Sequence, residues 1–393
     1  MMKRSVVRLI VFLLVATFSV FAPFVRASQA AAVYEGRALW VTRWDYSSPE
    51  DVRKIIQNAA SHYFNIILFQ VRGEATVYFR SQIEPWAWEL TGDNPSSTGR
   101  DPGWDPLATA ITYAHQYGIE LHAYLNVLPA WQQQTAPPSN HLFTAHRDWL
   151  MYDRSGFPMP VTKEIYSFVN PAHPQVKQHL VSLFEEVTRN YKIDGVHLDY
   201  IRYPIEYKEA DLSYDPVSLS LFKRQMNATP SAAPDQWREF RTSQINDLVR
   251  QIYTSVKAIK PNVMVSAACV ANRDEGSKTQ CQDALNWINN GYVDCLMPMN
   301  YTSKLQLFAE RTAMYIPTVK RGLVYMGIQA DRGDAAMKTQ IEYLRQNHMR
   351  GFGLFSYENL FPNHQPNATA QMLKDEVFRT PARVSGRRYP DAG

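Results

Sequence analysis

Short runs of β-branched and aromatic residues alternate with longer amphipathic stretches from residue 37 onward. This alternation is typical of a parallel sheet whose strands are covered by helices. The runs predict eight strands, at 37–44, 65–71, 119–127, 195–203, 263–270, 293–301, 323–330 and 351–357. The stretches between them predict helices at 49–64, 106–117, 173–191, 235–260, 278–290 and 335–347.

The spacing of the strands predicts how the sheet is organised. Successive strands begin 28, 54, 76, 68, 30, 30 and 28 residues apart, whereas one strand-plus-helix unit needs about thirty residues. Eight such units with right-handed crossovers close most readily into a (β/α)₈ barrel, also called a TIM barrel. The extra residues then form long loops after strands 2, 3 and 4 on the C-terminal face. An open doubly wound sheet is the rival, but no G-x-G-x-x-G motif follows the first strand.

The N-terminal segment has the pattern of a secretory signal peptide. Lys3, Arg4 and Arg8 precede an apolar run at 9–24, and small residues follow at 27–30. The run is shorter than the roughly twenty residues that span a bilayer, so we expect cleavage rather than a membrane anchor. The segment 1–30 therefore predicts an exported protein, periplasmic or extracellular. We expect one barrel domain at 31–379 and a disordered tail at 380–393.

Charge and cysteine content narrow the classes of partner. The chain has 41 Lys and Arg against 37 Asp and Glu, and the segment 1–30 holds four of these cations and no acid. A mature chain with no net charge is not expected to bind nucleic acid or an anionic membrane. Three cysteines allow one disulfide at most, and no Cys/His cluster has the spacing of a zinc site. We expect no cofactor, and a monomeric or weakly associating protein.

The fourth strand carries the main candidate for chemistry. Alternation along 195–203 places His197 and Asp199 on the inner face of the barrel and Val196, Leu198 and Tyr200 on the outer face. Asp199 is then near the mouth, where the active sites of such barrels lie. A carboxylate there is hydrogen-bonded, ion-paired or functional.

Polar and aromatic residues also cluster at the ends of the other strands. If they converge on one face, they form a carbohydrate cleft in which amides and Arg bind hydroxyl groups and rings stack on sugar faces. Each of them alone could equally be structural. The candidate substrate-binding residues are Arg43, Gln70, Arg72, Glu74, His122, Asn126, Trp131, His197, Arg202, Tyr203, Asn300, Tyr301 and Tyr357.

Glycoside hydrolysis generally needs two carboxyl groups, one of which protonates the leaving oxygen. Asp199 is the first candidate. Glu358, at the end of the eighth strand, is the preferred partner, followed by Glu74 and Asp45.

The long insertions at 84–104 and 128–171 are rich in Trp, Tyr and Pro. We expect them to wall an extended groove for a polymer, with Trp131 as a stacking platform. The alternative is that these rings only pack the loops onto the barrel.

Five segments together resemble the glycosyl-hydrolase-like family 10 proteins, which include a DigH-like group. The segments are Arg-Ala-Leu-Trp-Val at 37–41, Phe-Gln-Val-Arg at 69–72, Gly-Trp-Asp-Pro-Leu at 103–107, Glu-Leu-His-Ala-Tyr-Leu-Asn at 120–126 and Asp-Gly-Val-His-Leu-Asp-Tyr-Ile-Arg-Tyr-Pro at 194–204. The resemblance covers about 35–360. It implies a (β/α)₈ glycosidase of the bacterial envelope that cuts peptidoglycan glycan strands stripped of their stem peptides.

Two departures from related patterns affect this inference. Family members often have two adjacent aspartates in the fourth strand, whereas here Tyr200 follows Asp199. The strand also resembles the signature of chitinase-like family 18 enzymes, but Ile201 occupies the acid position and His197 replaces an aspartate. The general acid is therefore expected on another strand.

The sequence favours an exported glycoside hydrolase of a bacterial envelope polysaccharide, most of all peptidoglycan. Two alternatives stay open. One is a catalytically inert carbohydrate-binding barrel, and the other is a metal-dependent polysaccharide deacetylase in which His122, His197 and Asp199 hold the cation.

Overall fold

Eight parallel strands pair edge to edge and close into a barrel in the computed structural model, which describes residues 33–92, 94–161, 165–204 and 212–384. The predicted (β/α)₈ barrel is confirmed, because each predicted strand overlaps an observed one and β8 pairs with β1 to complete the ring. The predicted signal segment 1–30 lies outside the described residues. The strands are β1 Gly36–Val41, β2 Ile66–Arg72, β3 Glu120–Asn126, β4 Gly195–Asp199, β5 Met264–Val270, β6 Cys295–Met299, β7 in two pieces (Leu323–Val324 and Met326–Gln329) and β8 Gly351–Phe355.

Helices follow most strands and begin at recognisable caps. Ser48 caps α1 through a reciprocal capping box with Asp51, and Asp105 caps α2 by accepting from the N–H of Ala108. The helices are α1 Pro49–Ser61, α2 Pro106–Gln116, α3 Leu142–Ala145, α4 Pro174–Asn190, α5 Pro216–Met226, α6 Pro234–Ile259, α7 Arg273–Gln280, α8 Ala284–Asn290, α9 Leu305–Ala313, α10 Asp334–Gln346, α11 Tyr357–Leu360 and α12 Ala368–Met372.

The sequence interpretation and the structure differ in several helices. The predicted helix 278–290 is two helices, α7 and α8, because Cys281 ends α7 in a left-handed conformation with φ of 52°. The observed helices that were not predicted are α3, α5, α9, α11 and α12.

The strands separate two apolar layers. Alternate residues face outward and pack under the helices, as Leu39, Phe69 and Leu198 do. The inward residues fill the barrel with a second cluster that includes Trp40, Tyr124 and Met297. The barrel is therefore a packed core, and only its C-terminal mouth is available to a substrate.

Residues 33–35 and 380–384 close the opposite, N-terminal end of the barrel. The N–H of Glu35 donates to the carbonyl of Arg383, and the side chain of Asn65 donates to the carbonyl of Ala382. Val384 is fully buried within the inner cluster. The prediction of a disordered tail from Thr380 is therefore wrong for 380–384, because these residues pair with the barrel floor, and 385–393 lie outside the described residues.

The longest connections follow β2, β3 and β4 and stand on the C-terminal side, as predicted. The loop after β3 folds back through a short antiparallel pair, Pro129–Trp131 with Ser167–Phe168. In the described part of the chain, no helix is both long and apolar enough to cross a membrane. The three cysteines are buried, and no disulfide joins them.

Candidate active site

Asp199, the last residue of β4, is held by three groups at the barrel mouth. The hydroxyl of Tyr124 on the neighbouring strand donates to Oδ2 at 3.0 Å, and the backbone N–H of Tyr200 donates to Oδ1 at 2.6 Å. Nη1 of Arg202 lies 3.5 Å from Oδ1 as an ion pair. In the described part of the chain, the groups that contact the two carboxylate oxygens are all donors, so both oxygens act as acceptors.

Tyr200 turns the chain at the end of β4. It has a left-handed backbone conformation with φ of 49°, so it no longer follows the alternation of the strand. The expectation that its side chain faces outward under the helices is wrong, because the ring packs edge-on against Tyr166 at 5.5 Å and lies under the guanidinium of Arg202 at 4.7 Å. Its ring is partly exposed and belongs to the mouth.

Tyr301 is a second aromatic neighbour of Asp199. Burial, together with the charge of Asp199, raises the pKa of the Tyr301 phenol well above its usual value. Its ring stacks on Phe355 at 5.6 Å. The structure therefore brings Tyr301, which follows β6, to the same mouth as Asp199.

His197 lies one layer below Asp199, and its ring is hydrogen-bonded to other residues inside the barrel. The indole N–H of Trp40 donates to Nε2 at 3.2 Å, so the proton is on Nδ1, which pairs with the hydroxyl of Ser266 at 2.9 Å. Burial lowers the pKa of His197 to about 3, with the charge of His122 adding to the effect. A neutral imidazole with both nitrogens bonded supports the mouth from below and does not reach a substrate, so its predicted substrate-binding role is wrong.

His122 is deeper still. Its Nε2 lies 3.1 Å from Oε2 of Glu120 at the start of β3, and its ring fills the space over Gly195, where any Cβ would come within 2.5 Å of Nδ1. The ring is fully buried, so the prediction that it binds substrate is also wrong. Across the described residues, no group of three or more His, Cys, Asp or Glu side chains is placed to hold a metal, so these residues do not form the cation site of the deacetylase alternative.

Asn126 is paired with Asp199 in the β3–β4 register and lies at the same level. It is 2% exposed, and within the described ranges no group donates to its Oδ1. A buried amide oxygen without a donor is costly unless a ligand or water supplies one. Asn126 therefore lies where a substrate hydroxyl could complete its hydrogen bonding.

Arg43 and Gln70 lie together above β1 and β2. Oε1 of Gln70 accepts from the backbone N–H of Arg43 at 2.9 Å. The buried guanidinium of Arg43 pairs with Glu89 at 3.1 Å and donates to the hydroxyl of Tyr166 at 3.1 Å. These residues build the wall of the mouth between the first two strands and the loop after β3.

Glu74 is sealed within this wall. Its carboxylate accepts from the indole N–H of Trp88 at 3.1 Å, from the backbone N–H of Gln132 at 2.8 Å and from the amide of Gln133 at 3.2 Å. Burial raises the pKa of Glu74, and the charge of Arg43 counters part of that rise. The side chain is 0% exposed, so it cannot donate a proton to a substrate in this arrangement.

Arg72 braces the loops and does not contact the mouth. It forms a two-point ion pair with Glu84 at 2.7 and 2.8 Å and donates to the carbonyls of Asn126, Val127 and Pro129. Burial alone would raise the pKa of Glu84, but Arg72 and His179 hold it at about 2. The predicted substrate-binding role of Arg72 is wrong, because all of its donors face protein groups.

Two further predictions are wrong because the side chains leave the mouth. Tyr203 is buried with its hydroxyl 2.7 Å from that of Ser213. Tyr357 is buried, and its hydroxyl accepts from the amide of Asn58 on α1 at 2.9 Å.

The side chain of Asn300 is only partly bonded. Its amide nitrogen donates to the carbonyl of Phe308 at 2.9 Å and ties α9 to the barrel. Its buried Oδ1, like that of Asn126, accepts no hydrogen bond from the described residues, so its substrate-binding role stays a prediction.

Trp131 is not a stacking platform. Its ring is 0% exposed, packs against His141 at 4.9 Å and donates its indole N–H to the carbonyl of Thr135 at 3.0 Å. It fills the core of the loop after β3. Exposed rings at the mouth come instead from residues that the candidate list omits, above all Trp44, which is 59% exposed.

Among the residues that the structure describes, two further acids, Asp45 and Glu358, follow the adjacent strands β1 and β8. Burial raises the pKa of Asp45 to about 6, against the two hydrogen bonds that Thr42 donates, and the charge of Glu358 adds to the rise. Glu358 lies in the first turn of α11 and is exposed. The structure thus brings these two acids within electrostatic reach of each other.

The candidate residues do not include Tyr124, Tyr166, Glu89 and Trp88, although Trp88 and Tyr166 lie in the two insertions that were expected to wall the groove. Tyr124 could have been found, because it shares the inward face of β3 with His122 and Asn126. The others lie on loops, where no periodicity in the sequence fixes the direction of a side chain.

Comparison with known proteins agrees with this geometry. A family model described as glycosyl hydrolase-like 10 matches residues 35–343. Glycosyl hydrolase YngK of Bacillus subtilis (strain 168) is 27% identical over 331 residues, which cover 77% of this chain and 60% of YngK. Glycosyl hydrolase DigH of Escherichia coli (strain K12) is 27% identical over 262 residues, or 60% of this chain and 54% of DigH.

Among solved structures, the PgaB (BpsB) glycoside hydrolase domain from Bordetella bronchiseptica superposes with a TM-score of 0.58 at 14% identity, over 87% of this chain and 98% of that domain. This similarity shows the shared fold. The chain spans little more than half the length of the curated relatives it matches.

Proposed function

This chain belongs to the glycosyl hydrolase-like 10 family, and from that premise we propose that it is a glycoside hydrolase that cleaves O-glycosidic bonds of a polysaccharide. The observation that carries the proposal is the placement of Asp199. It is an acid at the C-terminal end of a central barrel strand, held by Tyr124, and bordered by the partly exposed rings of Tyr200 and Tyr301. Carboxylates and aromatic rings at a barrel mouth are the groups that bind and hydrolyse sugars.

Asp199 takes the role of the ionised carboxylate. Tyr124 and the N–H of Tyr200 fix both of its oxygens, so it enters the reaction already oriented. Such a carboxylate acts as the nucleophile, as the base that activates water, or as electrostatic support for the oxocarbenium-like transition state.

Glu358 takes the role of the proton donor. Glu74 and Glu84 are sealed in protein contacts, whereas Glu358 is exposed beside Asp45. The charge of Glu358 contributes to the raised pKa of Asp45, so the two acids lie close enough to interact. The donor thus comes from the β1–β8 side of the mouth, as the isoleucine at position 201 requires.

The substrate we propose is a bacterial envelope polysaccharide, most of all the glycan strands of peptidoglycan. The support is the family membership, the signal-like segment at 1–30 and the aromatic residues around the mouth. We propose an exported monomer, periplasmic or extracellular, that needs no nucleic acid or membrane partner.

The test is the release of new reducing ends from peptidoglycan and from poly-N-acetylglucosamine by purified protein. Release by the wild type that vanishes in Asp199→Asn, with circular dichroism unchanged, supports hydrolysis. Binding without release by the wild type would overturn the proposal in favour of an inert carbohydrate-binding barrel. Release of acetyl groups without new reducing ends, if a chelator abolishes it, would favour a deacetylase.

A further inference from the structure

The exposed aromatic ring of Trp44 lies at the barrel mouth and packs against ordered side chains beneath it. It lies three residues beyond the end of β1 and is 59% exposed. The guanidinium of Arg43 lies 4.5 Å from the ring centre, and the ring of Trp88 meets it edge-on at 6.2 Å. Single exposed apolar residues are common on protein surfaces, so the argument depends on what holds this one.

The support consists of buried charged groups. Arg43 is 2% exposed and pairs with Glu89, so its position is fixed from below. Glu74, with no exposed surface, accepts the indole N–H of Trp88 and fixes the orientation of that ring. Burying two charges is costly, and here Arg43 lies against the Trp44 ring while Glu74 orients the Trp88 ring beside it.

A continuous series of contacts connects this support to Asp199. Arg43 donates to the hydroxyl of Tyr166, the Tyr166 ring meets Tyr200 at 5.5 Å, and the N–H of Tyr200 donates to Asp199. Trp44 and Asp199 are therefore connected through one wall of the mouth.

We propose that Trp44 is a sugar-binding subsite, at which one pyranose unit of the polymer stacks away from the bond that is cut. The chemical class is a pyranose with mainly equatorial substituents, because its C–H face is flat and apolar and fits an indole face. Glu74 is then a positioning residue that acts through Trp88. The inference rests on the proposed function and adds a residue to its binding surface.

The experiment measures binding apart from hydrolysis, in an Asp199→Asn background. Affinity for soluble chito-oligosaccharides and retention by insoluble peptidoglycan are compared for Trp44→Ala, Trp44→Phe and Tyr117→Ala. Tyr117 is a matched control, because it is 47% exposed but ends α2 on the opposite face of the barrel. We expect Trp44→Ala to weaken binding about tenfold, Trp44→Phe to weaken it less, and Tyr117→Ala to have no effect.

The outcomes separate this inference from the proposed function. Equal affinity of Trp44→Ala and its parent overturns the subsite, while hydrolysis by the wild-type chain still stands. Absence of binding in every variant, together with absence of reducing ends from the wild type, overturns both.

Glu74→Gln in the otherwise wild-type chain tests the positioning role by its kinetics. If Glu74 acts only by holding Trp88 in place, Glu74→Gln raises KM more than it lowers kcat. A hundredfold fall of kcat at unchanged KM would instead make Glu74 a reacting acid and overturn this part of the inference.

Discussion

The hydroxyl of Tyr124 and the carboxylate of Asp199 are joined by a hydrogen bond of 3.0 Å between neighbouring strands of the barrel. Burial and the charge of Asp199 raise the pKa of Tyr124 well above its usual value, so this hydroxyl remains a donor throughout the working pH range. The Tyr124 ring also meets His197 edge-on at 5.5 Å. The carboxylate of Asp199 is thereby positioned by the inner layer of the barrel.

Tyr124→Phe should lower kcat about tenfold to a hundredfold, because Asp199 loses the bond that fixes Oδ2. The free energy of unfolding should fall by only about 1 kcal/mol, since one buried hydrogen bond is lost. Steady-state hydrolysis of a soluble glycan and urea unfolding check the two effects. An unchanged kcat would show that Tyr124 does not position the reacting group.

Trp131→Ala should lower the free energy of unfolding by about 3 to 5 kcal/mol and leave polysaccharide affinity unchanged, because the ring is buried in the loop core. Phe157, 66% exposed in the same insertion, is the matched control, and Phe157→Ala should change stability by less than about 0.5 kcal/mol. Chemical denaturation and a glycan-binding assay make the measurement. Lost binding at intact stability would restore Trp131 as a stacking platform.

Two buried histidines should make the protein less stable in mild acid. Burial lowers the pKa of His197 to about 3 and that of His141 to about 4. Between pH 6.5 and these values the unfolded chain binds protons that the folded chain does not, so stability falls as pH falls. Asp45 offsets part of this loss, because its raised pKa makes the folded state bind a proton more readily than the unfolded chain as the pH falls below about 6. The net loss from pH 7 to pH 5 should be about 2 kcal/mol by urea unfolding, and stability that rises over this range would contradict the neutral, buried histidines.

Asp45→Asn should stabilise the fold above pH 6. Burial raises the pKa of Asp45 to about 6, so its ionised form is disfavoured in the folded state, and this penalty grows from pH 4 to pH 6 and then stays constant. The variant should gain about 2 kcal/mol at pH 8 and almost nothing at pH 4. Asp331→Asn, a half-exposed control, should change stability little at either pH. An equal effect of Asp45→Asn at both pH values would contradict the shifted pKa.

The sequence was sufficient to predict the barrel, because its apolar runs recur at the spacing of strand-plus-helix units and the extra residues are confined to three connections. The same alternation placed Asp199 on the inner face of β4. The sequence pattern did not show that the predicted helix 278–290 is interrupted at Cys281, where a left-handed residue ends α7. Nor could it show that 380–384 pairs with the floor of the barrel.

The site predictions failed mainly where strand alternation stops. β4 ends at Asp199 and β8 at Phe355, so Tyr203 and Tyr357 lie in a turn or a helix, where a period of two does not determine the direction of a side chain. At Arg72 the register with β3 shifts, and the side chain points into the loops. Contacts between distant loops, such as Glu74 with Trp88, depend on the complete fold.

The central claim is that Asp199 takes part in cleaving a glycosidic bond at the mouth of this barrel. The most direct measurement compares the turnover of a purified glycan-strand substrate by the wild type and by Asp199→Asn, with products identified by mass spectrometry and folding checked by thermal melting. The account predicts shorter glycans with new reducing ends from the wild type, and turnover reduced at least a thousandfold, roughly 4 kcal/mol of transition-state stabilisation, in the variant. Equal turnover by the two proteins, or an intact glycan after incubation with the wild type, would contradict it.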